Sequence, residues 1–306
     1  MSSQEQADCS RDSSPGSMRN HDAKTPVLGR LAESLLAEEP LPARSAAKAL
    51  LFANVHLATS ERHWKQAAIR HLNVAIARAD ELCSTKQWGL CGGLAGLGWT
   101  VEIVSRMLGV SDDLNEDTDA ALLRELERGR WRGSFDAASG LAGIGIYFLE
   151  RNHAAGIKLV VDHLESQLDR ARSARGVMYL LAEVASPSML ERVLDALPSD
   201  SAATWSRCAR ITGRDQDHHE ASRLLEEACA VSPETITDAS LRRGAAGMTR
   251  MFSQLDEVRA NLWYERTLAI VERGEWTPDP GGDCLMDGEA GVALALMNVN
   301  VRMMAV

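Results

Sequence analysis

The 306-residue chain is 45% apolar and 25% charged, the mix of a globular protein that can bury a sizeable core. Its formal net charge of −10 argues against a generic nucleic-acid surface, because phosphate binding is carried by clustered Lys and Arg. No apolar run approaches the roughly 20 residues that a membrane helix needs, so neither nucleic acid nor membrane insertion is expected.

Residues 1–26 are rich in Ser and Asp, with Gln, Asn20, Pro15 and Gly16. They read as a disordered polar tail without the apolar centre of a secretory leader, and the cytoplasm is the expected compartment. Residues 27–306 read as a single domain. Ala and Leu make up about a quarter of the chain, and both favour helix. Val27, Leu28, Leu31, Leu35 and Leu36 keep a helical stripe that Pro40 and Pro42 end. Helices are expected over 43–58 and 61–83. Trp64, Ala67, Ala68, His71, Leu72 and Ala75 form the core-facing side of the second. Residues 215–231 read as an amphipathic helix burying Ala221, Leu224, Leu225 and Ala228. Period-2 runs of useful length are missing. The expectation is an all-α bundle, solenoid or toroid.

Six cysteines, at 9, 83, 91, 208, 229 and 284, are irregularly spaced and form no Cys-x-x-Cys pair. They read as reduced thiols. Cys208, His218, His219 and Cys229 lie close in sequence. Adjacent histidines on a helix diverge by about 100°, so they read as solvated side chains and not as a metal site.

An internal repeat organises the chain. Gly93-Leu-Ala-Gly96, Gly140-Leu-Ala-Gly143, Gly244-Ala-Ala-Gly247 and Gly288-Glu-Ala-Gly291 each follow a loop and open an apolar helix. The long step between the second and third has room for two decayed copies, one at Arg175-Gly176 and one around Trp205 to Gly213. Six helix pairs would result. Paired glycines at a helix start let backbone or ligand approach closely. A phosphate-binding reading needs a preceding strand, and none is apparent.

Glycine-rich repeats of this kind resemble the inner-helix motifs of LanC-like lanthionine cyclases. Three segments carry the likeness: Gly89-Leu-Cys-Gly-Gly-Leu-Ala-Gly-Leu-Gly-Trp99, Phe135-Asp136-Ala-Ala-Ser-Gly140-Leu-Ala-Gly143, and Asp283-Cys-Leu-Met-Asp287-Gly288-Glu-Ala-Gly291. The resemblance implies an (α/α)6 toroid. It also implies work on a ribosomally made precursor peptide, in which a cysteine thiol adds to a dehydroamino acid to form a thioether. A dehydratase or other modification enzyme would be a partner. The family's zinc, which lowers the thiol pKa, is held by a Trp-Cys-x-Gly cysteine and by a Cys-His pair before a later Gly-x-x-Gly. In this sequence Trp205-Ser206-Arg207-Cys208 and Arg242-Arg243 stand at those places, and arginine has no lone pair to offer a metal. No metal cofactor is therefore expected.

Asp136 is the candidate catalytic carboxylate, with a loop-capping role as its rival reading. Arg242 and Arg243 are the candidate substrate-binding residues, with Asp136, Asp287 and Glu289 as possible ion-pair partners. Three functions stay open. One is a cyclase with an altered or metal-free site. Another is a non-catalytic pseudo-cyclase that binds the precursor or a modification enzyme. The third is an unrelated α/α-toroid carbohydrate-active enzyme using Asp136 with Asp287 or Glu289.

Overall fold

The computed structural model describes residues 26–171, 176–184, 187–195, 202–278 and 285–297, and within them every regular element is helical. Of the tail expected over 1–26, residues 1–25 lie outside the described residues, as do Arg175 of the third repeat, Cys9, Asp283 and Cys284, while Pro26 opens a helix.

Burial sorts the helices into two layers. Helices α2 (Pro42–Thr59), α5 (Leu94–Leu108), α7 (Leu141–Glu150), α10 (Val177–Glu183), α12 (Ala202–Thr212), α14 (Ala245–Phe252) and α16 (Glu289–Leu296) form the inner layer. Most are apolar on nearly every side. In α7 each residue from Leu141 to Phe148 is buried. A helix buried all round must have neighbours on all sides. The remaining helices are amphipathic and outer: α1 (Pro26–Ala37), α3 (Arg62–Ile76), α6 (Glu116–Glu127), α8 (Ala154–Ser166), α11 (Pro187–Leu194), α13 (Asp215–Ala230) and α15 (Glu257–Glu272). Short helices α4 (Ala79–Ser84) and α9 (Leu168–Ala171) and a 3-10 turn at Pro233–Thr235 complete the set.

The inner helices neighbour one another in the order α2, α5, α7, α10, α12, α14, α16, and α16 returns to α2. Helix α1 closes the seam against α16, α2 and α15. The all-α toroid is thus found, with one correction. The circuit among the described residues contains seven inner helices, where six pairs were expected. The uncounted one is α2. It starts on Pro42, whose ring presets φ and whose missing N–H needs no cap, so it carries no glycine signature. The helix expected over 61–83 also divides, because the chain turns at Ala77–Arg78 between α3 and α4.

The repeated glycines have a common geometric cause. Each loop curls back over the helix that it introduces. The first free N–H groups of α5, α7 and α14 then donate to the loop itself: Leu94 to Gln87 O (2.7 Å), Leu141 to Ser134 O (3.0 Å) and Ala245 to Asp238 O (2.8 Å). The second glycine of every motif lies against a carbonyl six residues earlier. A Cβ would stand 1.8 Å from Leu90 O at Gly96, 2.2 Å from Ala137 O at Gly143, 2.3 Å from Leu241 O at Gly247 and 1.6 Å from Leu285 O at Gly291. The first glycines that cap these helices have ordinary extended φ values. The missing Cβ is what the fold uses, not left-handed backbone. The N–H groups that could have met a phosphate are occupied by the chain.

Candidate binding site at the mouth of the toroid

Adjacent loops are stitched together at equivalent positions. Cys91 N–H donates to Ala138 O at 2.8 Å, joining the loops before α5 and α7. Five residues before the second glycine in both repeats, Arg242 N–H likewise donates to Met286 O at 3.0 Å, joining the loops before α14 and α16. Pro42, Ala43, Gly93, Gly96 and Leu285 line one small apolar cleft of about 50 Å³, so the starts of α2 and α5 meet the loop before α16. The starts of α14, α16, α2, α5 and α7 therefore share one rim, the mouth of the toroid.

Asp136 lies on this rim in the loop before α7. Its Oδ1 accepts from Ser139 N–H at 2.7 Å, and both oxygens accept from Ser139 Oγ, at 3.2 and 3.0 Å. Ser134 Oγ is a further donor. Burial pushes the Asp136 pKa up, but these hydrogen bonds outweigh it and hold the carboxyl below its usual range. The carboxylate ties the loop to itself, as an aspartate that satisfies backbone donors does.

Arg242 and Arg243 immediately precede Gly244. Nε of Arg242 donates to Asp287 Oδ1 at 2.8 Å and Oδ2 at 3.0 Å. Asp287 is thus the partner, out of the three acids considered. Asp136 belongs to another sector of the rim. Glu289 opens α16, half-buried, and burial pushes its pKa up, with the nearby Glu38 carboxylate adding to the effect. Arg243 is exposed. Its N–H donates to Ser240 Oγ at 3.3 Å, and among the described residues no carboxylate pairs with its guanidinium.

The two arginines line an open groove of about 520 Å³ together with Thr237, Asp238, Ser240, Glu275, Trp276, Thr277 and Asp287. Sequence reasoning did not find Asp238, Glu275 or Trp276. Trp276 follows α15 in irregular chain, where no periodicity marks it, and Asp238 lies outside the glycine motif.

The donors available for zinc fit poorly. Cys208 is 0% exposed inside α12, and Ser206 precedes it by two residues on the same helix. Arg242 is engaged with Asp287 and cannot ligate a cation. His218 and His219 are exposed on α13, and Cys229 lies three turns further on. Among the described residues no three His, Cys, Asp or Glu side chains converge as a metal site. Of the acids considered for glycoside chemistry, Asp136 is held by serine donors, Asp287 by Arg242, and Glu289 opens α16 half-buried.

Residues 45–183 match the family model described as lanthionine synthetase C-like protein. The stretch runs from α2 to α10 and contains the Gly93 and Gly140 motifs. Over it the chain is similar to lanthionine synthetase C-like proteins, as the motifs implied. No curated protein matches the chain. Among the described residues no helix is long and apolar enough to cross a membrane.

Proposed function

We propose that this LanC-like chain acts in the maturation of a ribosomally made peptide by holding the precursor at the mouth of its toroid, without zinc activation of a thiol. The observation that carries the reading is the Arg242–Asp287 pair. It places a guanidinium, already engaged, where the family's pattern has Cys-His, and it borders a groove wide enough for a peptide chain. The other LanC-like position for a ligand holds Ser206, with Cys208 buried. A dehydratase or other enzyme acting on the same precursor is the expected partner, and the cytoplasm the expected compartment.

The test uses the full chain and a dehydrated precursor peptide. Binding is followed by fluorescence anisotropy, free cysteine by alkylation and mass spectrometry, and metal by elemental analysis. The reading expects saturable binding, thiol loss no faster than without protein, and no stoichiometric metal. Rapid thiol loss would restore the cyclase. One zinc per chain that disappears in Cys208→Ala would reveal a replacement metal site. Absence of binding would remove the pseudo-cyclase reading altogether.

A further inference from the structure

The two adjacent arginines have different surroundings. Arg242 is linked twice to the loop before α16, through its N–H to Met286 O and through its guanidinium to Asp287. It belongs to the wall. Arg243 points its charge toward the groove without a described carboxylate partner, although the groove contains three acids. Each of those acids is already engaged. Asp287 takes Arg242. Asp238 Oδ1 takes the Ser240 N–H at 2.7 Å. Glu275 faces Arg273 at 3.5 Å. Counting Arg273, the described residues around the groove carry three acids and three guanidinium groups, of which only Asp287–Arg242 and Glu275–Arg273 are paired.

Resting on the peptide-binding reading above, the geometry points to Arg243 as the specificity residue of this groove. It takes one carboxylate of a bound peptide, with neutral residues on either side of that carboxylate. A guanidinium prefers a planar carboxylate, which it can meet with two parallel N–H donors. The half-buried Trp276 lends an apolar wall to the neighbouring residue. Thr237 and Thr277, both exposed in the groove lining, can offer hydroxyl groups to the backbone of an extended segment. Among the described residues, a single negative charge finds a single unengaged cation. A strongly acidic segment would bring further charges against Asp238, Glu275 and Asp287, and like charges brought together cost binding energy. The groove is therefore selective for charge number and not merely for charge sign. The carboxylate can be an Asp or Glu side chain or a free C-terminus, and the two share the chemistry that Arg243 reads.

Titration calorimetry on the full chain tests this with four hexapeptides of Ala, Ser and Leu, all N-acetylated. The first has one central Glu and an amidated C-terminus. The second replaces that Glu by Gln. The third keeps Gln and frees the C-terminal carboxylate. The fourth carries four Glu residues. Affinity about tenfold higher for the first or the third than for the second is expected, according to which carboxylate is used. The four-Glu peptide should gain nothing further. Arg243→Gln should abolish that preference. Arg243→Lys should restore only part, because ammonium lacks the planar fork. Equal affinities for the first three peptides, or a preference that survives Arg243→Gln, would overturn the assignment. So would four-Glu binding that exceeds the single-carboxylate peptides. An Arg243-dependent preference in these peptides, combined with no binding of the dehydrated precursor, would keep the site and sink the peptide-maturation reading. Precursor binding that ignores Arg243 would do the reverse.

Discussion

Arg242 and Asp287, forty-five positions apart, meet with Nε 2.8 Å from Oδ1 and 3.0 Å from Oδ2. The pair lies beside the backbone bond from Arg242 N–H to Met286 O. Arg242 is 37% exposed and Asp287 22%, so water screens the pair and its stabilisation is small. A double-mutant cycle of Arg242→Ala and Asp287→Ala in urea should give a coupling of about 0.5 kcal/mol. Each single change should move the melting temperature by about 1–2 °C. Coupling above 2 kcal/mol would mean that the pair holds the loops together more than its exposure allows.

The glycine motif makes a sharper prediction. At Gly143 a Cβ would meet Ala137 O at 2.2 Å and Leu90 N at 2.9 Å, both of them backbone atoms. Gly143→Ala must therefore move a whole loop, at a cost of about 3 kcal/mol or more. Gly29 lies inside α1 with nothing within 4 Å of its would-be Cβ. Gly29→Ala should stabilise by about 0.5–1 kcal/mol through helix propensity. Chemical unfolding of the two variants distinguishes motif glycine from incidental glycine. Similar effects in both would disprove the close-packing account.

Local chemistry explains which parts were legible in the sequence. Gly93, Gly140, Gly244 and Gly288 recur because each loop makes the same return over its helix, and that return leaves a mark at fixed spacing. The buried stripe of α3 from Trp64 to Ala75 was readable for the same reason, being local and periodic. Helix α2 hid its place in the ring because Pro42 starts it without a folded-back loop. The groove was only half visible. Arg242 and Arg243 stood out against a family pattern, while Trp276 is brought there by chain closure across the length of α15. The polar clamp at the far end of the toroid was invisible too. Arg151 meets Asp119 at 2.8 Å, Asp113 at 2.7 Å and Glu102 at 2.9 Å, and Tyr147 donates to Asp119 at 2.5 Å. These partners are separated by a helix or more of sequence, and no spacing rule joins them.

Lys48 raises a different question. Its ammonium is 1% exposed in α2, bonded to Leu35 O at 3.1 Å and Glu38 Oε2 at 2.6 Å. It fastens the end of α1 to the inner layer at the seam where the circuit closes. Removing only the counter-charge leaves a buried cation partly unpaired, which costs more than removing the cation. Glu38 is partly exposed, so Glu38→Gln should cost about 2 kcal/mol. Lys48→Met, which replaces the ammonium by an apolar group of similar length, should change stability by less than about 1 kcal/mol. Urea midpoints of the two variants settle the order. A larger loss for Lys48→Met would show that the ion pair itself stabilises the seam.

His71 gives the pH dependence. The ring is fully buried in α3, with Nδ1 3.3 Å from Ser45 Oγ, and it packs against Phe52 at 5.3 Å. Burial first, then the positive charges of Lys48 and Arg70, lower its pKa from 6.5 to about 4, with Glu38 opposing them. The folded state therefore keeps the imidazole neutral where the unfolded chain would protonate it. Between pH 6.5 and 4 the unfolded state binds more protons, so stability rises with pH across that window and is lost as pH falls through it. A shift of this size corresponds to as much as about 3 kcal/mol. Glu289, whose pKa is raised, works in the opposite direction at the acid end of the same window. Comparing the native chain with His71→Gln isolates the histidine from such carboxylates. Unfolding free energies taken at half-unit steps from pH 7.5 to 4 should fall more steeply in the native chain than in His71→Gln. Parallel curves would show that His71 does not carry the acid sensitivity, and that its protonated form is accommodated within the core.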